Sequence, residues 1–107
     1  MLKRTLSFLS LLTYMASNST LNQNQFAQAA MYLQVYEKVD PENSEVYYLQ
    51  ALLAAKQENW QAVIPRLQKA VEVGFIDLER LIKEEFFNSV KQSAEFGALV
   101  EKIKAMK

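Results

Sequence analysis

Side chains able to do chemistry are scarce in this sequence, and the commonest ones are missing. Of its 107 residues none is Cys and none is His. That removes the thiolate nucleophile, disulfides, Cys-based zinc sites, and the usual general base and metal ligand. Ser-His-Asp and Cys-His arrangements cannot be built. Carboxylates fall close together at Asp40 and Glu42 and at Glu84 and Glu85, in polar stretches with no apolar context to raise a pKa for acid–base work. They read as solvated charges. Asn18-Ser19-Thr20 has the N-glycosylation acceptor pattern, which matters only in a eukaryotic secretory setting. The expectation is a non-enzymatic chain with no catalytic residue, no metal site and no cofactor.

Charge points the same way. Twelve Lys plus Arg balance 12 Asp plus Glu, so no net field draws the chain to nucleic acid or to an acidic membrane surface. Lys102, Lys104 and Lys107 form a basic tail suited to the C-terminal end of a helix dipole and too weak for a polyanion. Neutrality conceals an asymmetry, because the whole stretch from Thr5 to Tyr36 carries no charge. The apolar run Thr5 to Ala16, after Lys3 and Arg4, has the form of a secretory signal. A cleavage near Ala16 or Ser17 would place Tyr14 or Met15 where a small residue is wanted, so the site is poor. The run also ends at Ser17-Asn18-Ser19-Thr20, short of the roughly 20 apolar residues of a membrane span. A buried helix fits better, with Leu2, Leu6, Leu9, Leu12 and Met15 at spacings of three and four. A cytoplasmic chain is the expectation, and a periplasmic or exported one the alternative if residues 1–17 act as a signal.

The elements follow from the same periodicity and its punctuation. Asn24 is placed to cap a helix over Gln25–Val39 with Phe26, Ala29, Ala30, Leu33 and Tyr36 inward. Asp40-Pro41 breaks it. Asn43 or Ser44 caps Glu45–Gln57, and Asn59 caps Trp60–Val73, with Gly74 at a left-handed C-terminal cap. Pro65 inside that helix predicts a kink or a late start. Asp77 opens Leu78–Glu84, a brief piece spans Glu85–Val90, and Ser93 caps a last helix to Lys104 carrying Phe96, Leu99, Val100 and Ile103. No alternating β pattern interrupts the series, so the class is all-α, in a single domain of ordinary size.

One constant shift along the chain superimposes the two middle helix pairs: Tyr14 on Tyr48, Gln23 on Gln57, Leu33 on Leu67, Gln34 on Gln68 and Val39 on Val73, with Ser17 on Ala51, Phe26 on Trp60 and Ala29 on Val63. On these residues the chain resembles the tetratricopeptide repeat family. Ser17 and Ala51 supply the small residue of helix A, Phe26 and Trp60 the aromatic that opens helix B, Ala29 and Val63 the next contact, Leu33 and Leu67 the large one, and Pro41 the closing Pro. Tyr36 departs from the small residue that Ala70 supplies, and Gly74-Phe75 stands where a second Pro would close the unit. The segment from Gly74 to Val100 looks like the terminal cap of some bacterial proteins of this type. The resemblance implies an alpha-alpha superhelix: repeat 1 over residues 8–41, repeat 2 over 44–74, and a helical C-terminal cap over 75–107.

It further implies a protein or peptide partner held in the groove of the A helices, whose candidates here are Tyr14, Asn18, Tyr48, Leu52 and Lys56. Tyr14 and Tyr48 either line that groove or fill the space between the A helices. A carboxylate clamp is not expected, because only Asn18 fits it and Leu49 stands where a second Asn is wanted. Trp60 reads as a buried aromatic. The alternative function is assembly: a homodimer through the uncharged N-terminal helix pair, or docking onto other domains of a larger polypeptide.

Overall fold

The structure, a computed structural model, describes the backbone of residues 2–106 and the side chains of residues 11–106. Among the described residues there are six α-helices, one 3₁₀ turn and no strand: α1 (Leu2–Asn22), α2 (Phe26–Val39), α3 (Ser44–Lys56), α4 (Trp60–Glu72), α5 (Leu78–Lys83), the 3₁₀ turn Glu85–Phe87, and α6 (Ala94–Met106). The all-α expectation holds, in a body of 41 × 31 × 19 Å.

Element positions repeat with the same period beyond the two middle pairs. Helices α2, α4 and α6 begin at Phe26, Trp60 and Ala94, and α3 and α5 begin at Ser44 and Leu78. Turn chemistry repeats with them. After α1 the Gln25 N–H donates to the Thr20 carbonyl at 2.8 Å and Asn24 donates to Leu21; after α3 the Asn59 N–H donates to Ala54 at 2.8 Å and Glu58 donates to Ala55. Both are Schellman closures, in which the residue beyond the helix turns left-handed so that the last carbonyls find donors. Asn24 and Glu58 accordingly sit at φ 59°. Gly74, at φ 114°, closes α4 the same way, with Phe75 donating to Ala70 at 2.9 Å. Only there does the backbone ask for glycine.

Local capping follows the sequence at three of five sites. Asn43 accepts from Glu45 N–H, Asp77 from Arg80 N–H, and the Ser93 hydroxyl oxygen from Phe96 N–H. Asn24 and Asn59 do not cap. Asn24 is spent on the left-handed closure of α1, leaving Gln25 at the start of α2, and Asn59 makes no side-chain cap bond. Pro65 does not delay α4, which is helical from Trp60. Pro65 and Gln61 are exposed, so water can take the carbonyl that proline leaves without a donor.

Packing puts the small and leucine positions of the repeat inside. Ser17, Ala29, Leu33, Ala51, Val63, Leu67 and Ala70 are buried, in one continuous core running from Leu21 to Ile103. The small residues let antiparallel helices approach, and the leucines fill between successive pairs. The turn between α2 and α3 is pinned by side chains: Asn43 Nδ2 donates to Tyr36 Oη at 2.9 Å, and Tyr47 Oη–H donates to the Pro41 carbonyl at 2.6 Å. Three expectations fail. Trp60 is 37% exposed, and Leu12 and Met15 are 47% and 58% exposed. Helical spacing put Leu12 and Met15 on one face correctly, but no neighbouring element covers that face. Leu2, Leu6 and Leu9, expected on it as well, lie outside the described side chains.

Candidate functional site

The five groove candidates do not form one open surface. Tyr48 is buried, with the Phe75 ring stacked on it at 4.9 Å, the Phe87 ring edge-on at 5.7 Å and the Arg80 guanidinium 4.2 Å above it. The residues that cover it come from the segment after α4. Leu81 and Phe87 are buried there too, so the C-terminal segment occupies the A-helix face of the second pair. Lys56 is engaged: its Nζ donates to the Leu21 carbonyl at 2.9 Å and sits 4.7 Å from the Phe86 ring centre. A lysine on the last carbonyls of α1 complements that helix's negative end. Tyr14, Asn18 and Leu52 stay half-buried, Tyr14 with its ring edge-on to Tyr36 at 6.4 Å. Sequence spacing placed these residues along the A helices; it carried no sign that the chain would cover its own second A helix.

Electrostatics in this region fix the fold. Arg80 pairs with Glu45, joining α5 to the first turn of α3. Burial lowers the Arg80 pKa, and the hydrogen bond and charge of Glu45 more than restore it, so the net direction is upward. Burial pushes the Tyr48 hydroxyl up to about 12, against the opposing charge of Arg80. The phenol therefore stays protonated near neutrality, beside the guanidinium that Glu45 pairs. Among the described residues no group of three acidic side chains comes together to hold a metal ion.

An open apolar surface lies elsewhere, on the outer side of the first helix pair. Leu12, Thr13 and Ala16 of α1 with Tyr32, Val35 and Val39 of α2 line a cleft of about 280 Å³. Leu11, Met15 and Met31 are also exposed, each by about half. No charged side chain lines the cleft. By contrast the clefts between α4 and α6 and among α2, α3 and α4 carry Glu72, Glu95 and Lys102 in one and Arg66 in the other. Helical spacing assigned no role to Val35 and Met31, and placed Tyr32 one turn from Tyr36 as a packing residue. The signal that marks them is the charge-free run from Thr5 to Tyr36, which removes from α1 and α2 the Lys and Glu that ordinarily dress an exposed helix face.

The face has an internal counterpart. Moving its lining one repeat along the chain gives Val46, Tyr47, Gln50, Arg66, Lys69 and Val73, of which Gln50 and Arg66 border α2. Glu37 of α2 marks the contact: Gln50 Nε2 donates to it at 2.7 Å and Arg66 Nη1 stands 3.9 Å away. On the second pair Val46 and Tyr47 of this set are buried and Gln50 is half-buried, while Arg66 and Lys69 stay exposed and supply charge that the first pair lacks. No family model, curated protein or solved structure matches the chain. Among the described residues no helix is long and apolar enough to cross a membrane.

Proposed function

We propose that this chain is a non-catalytic protein-docking module of the tetratricopeptide type, built of successive helix pairs on one repeat period, and that it receives its protein partner on the α1–α2 face. The observation that carries the reading is the apolar, charge-free cleft lined by Leu12, Ala16, Tyr32 and Val35, together with exposed Leu11 and Met15. Contiguous apolar surface of this kind is costly to leave in water and marks contact sites. The repeat type is supported by the common spacing of α2, α4 and α6 and by the paired Schellman closures. The A-helix groove expected from the sequence is the weaker docking surface. A ligand there would have to displace Phe75 and Phe87 to reach Tyr48.

A capture experiment from native lysate separates the two surfaces, using tagged wild-type, Val35→Glu and Asn18→Ala chains read by mass spectrometry. Proteins held by the wild type and by Asn18→Ala but lost from Val35→Glu, untagged copies of the chain included, support the α1–α2 face. Loss from Asn18→Ala alone would return docking to the groove.

A further inference from the structure

The second helix pair shows what a surface of this kind accepts. There the occupant is α2, and its Glu37 is received by Gln50 and Arg66. In the α1–α2 cleft the same positions hold Ala16 and Tyr32, and Val35 replaces Lys69. The recess keeps the same repeat spacing, yet Gln50, Arg66 and Lys69 have become a methyl, a phenol ring and a branched alkyl. A helix carrying an acid like Glu37, whose side chain is 42% exposed beside Arg66, would find no partner for it there. The occupant's contact strip is therefore free of charge.

The part of the chain's own first two helices from Thr5 to Tyr36 meets that requirement, their charges lying outside it at Lys3, Arg4, Glu37 and Lys38. Beside the recess, Leu11, Met15 and Met31 project into solvent. One surface thus carries both projections and a recess, as an isologous contact needs, where a patch must complement itself. A two-fold axis also sets residues near their own copies, which a charged face would oppose by like-charge repulsion.

The far end of the molecule selects a closed pair over an open stack. Leu33 and Leu67, at the eighth position of α2 and α4, are buried, whereas the eighth residue of α6 is Glu101, exposed and paired with Lys104. Helix α6 cannot serve the next copy as α2 serves α3 and α4. Head-to-tail growth stops there. We infer that the α1–α2 face is a two-fold interface with a second copy of this chain, an inference that rests on the docking role proposed for that face.

Light scattering on the purified chain, from low micromolar to near-millimolar concentration, tests it. Wild type is expected to form a dimer, and Val35→Glu to weaken dimerisation by about a hundredfold or more while its thermal melt monitored by circular dichroism stays that of a folded helical protein. Leu12→Ser serves as a second, milder variant should Val35→Glu fail to fold. A monomeric wild type throughout the range, or variants that dimerise as tightly as wild type, would overturn the inference. A photo-reactive side chain in place of Val35 separates its failure from that of the docking reading. If the purified chain is monomeric and the probe captures a different protein from native lysate, the second copy is wrong and the docking face stands. Capture of nothing in either setting ends both.

Discussion

The two ends of the molecule are built on the same repeat spacing and finished in opposite ways. At the C-terminal end α6 turns Phe96, Leu99 and Ile103 inward and shows Glu95, Glu101 and Lys102 to water. At the N-terminal end α1 and α2 turn Ser17, Leu21, Ala29 and Leu33 inward and still leave Leu11, Leu12, Met15, Met31 and Val35 outside. A stack of helix pairs buries each pair against its neighbours, so a terminal pair needs a polar outer face to be soluble alone. One end has that face. The difference gives the described helices a polarity: a charged outer face on α6 and an apolar one on α1 and α2.

The comparison can be broken hardest where the C-terminal segment locks onto the second pair. Tyr48→Ala removes the ring held between Phe75, Phe87 and Arg80, and should cost about 3–5 kcal/mol in denaturant unfolding, as a fully buried aromatic truncation does. A near-neutral result would mean that the segment does not seat on α3. Arg80→Ala should cost roughly 1–3 kcal/mol in the same assay, because it strands a Glu45 carboxylate whose second oxygen already has no hydrogen-bond partner. Trp60→Ala should cost only about 1–2 kcal/mol, since the indole is 37% exposed. At the ends themselves the effects on stability are smallest and those on association largest. Leu12→Ser and Glu101→Leu should each change stability by less than about 0.5 kcal/mol. In concentration-dependent light scattering Leu12→Ser should reduce association, while Glu101→Leu should increase it by giving α6 the apolar residue of α2 and α4.

An alkaline titration sharpens the same contrast. The Tyr48 hydroxyl is raised from 10.0 to about 12 by burial, so the folded chain holds that proton more tightly than the unfolded chain. Stability linked to it is intact below pH 10 and is lost as the pH climbs toward about 12. Phenolate absorbance should show late titration, with Tyr48 last, and Tyr48→Phe should remove the latest part and leave that of Tyr47, which burial also raises. Ordinary titration of every tyrosine would place the Tyr48 ring in water.

Much of the fold was legible because it rests on local chemistry. Apolar spacing gave the helices, the internal shift aligned the middle pairs, and Asn43, Asp77, Ser93 and Gly74 act within a turn or two of their own backbone. Asn24 misled because its type serves both an N-cap and a left-handed closure, and the tight connection after α1 required the second. Burial was less legible than periodicity. The register of Leu12 and Met15 told which residues share a face, while coverage depends on a neighbour that the sequence does not name. Tyr48 is the converse case: its A-helix position pointed to a groove, and the segment from Phe75 to Phe87, distant in sequence, closed over it. The apolar face of α1 and α2 was written in what is missing, the charges between Thr5 and Tyr36, rather than in any motif.

Hydrogen exchange followed by mass spectrometry at low and high protein concentration tests the polarity most directly, because it reads both ends in one sample. The expected result is added protection over residues 11–39 at high concentration, with residues 94–106 unchanged. Added protection over residues 94–106, or none anywhere, would contradict an associating N-terminal face opposed to a closed C-terminal one.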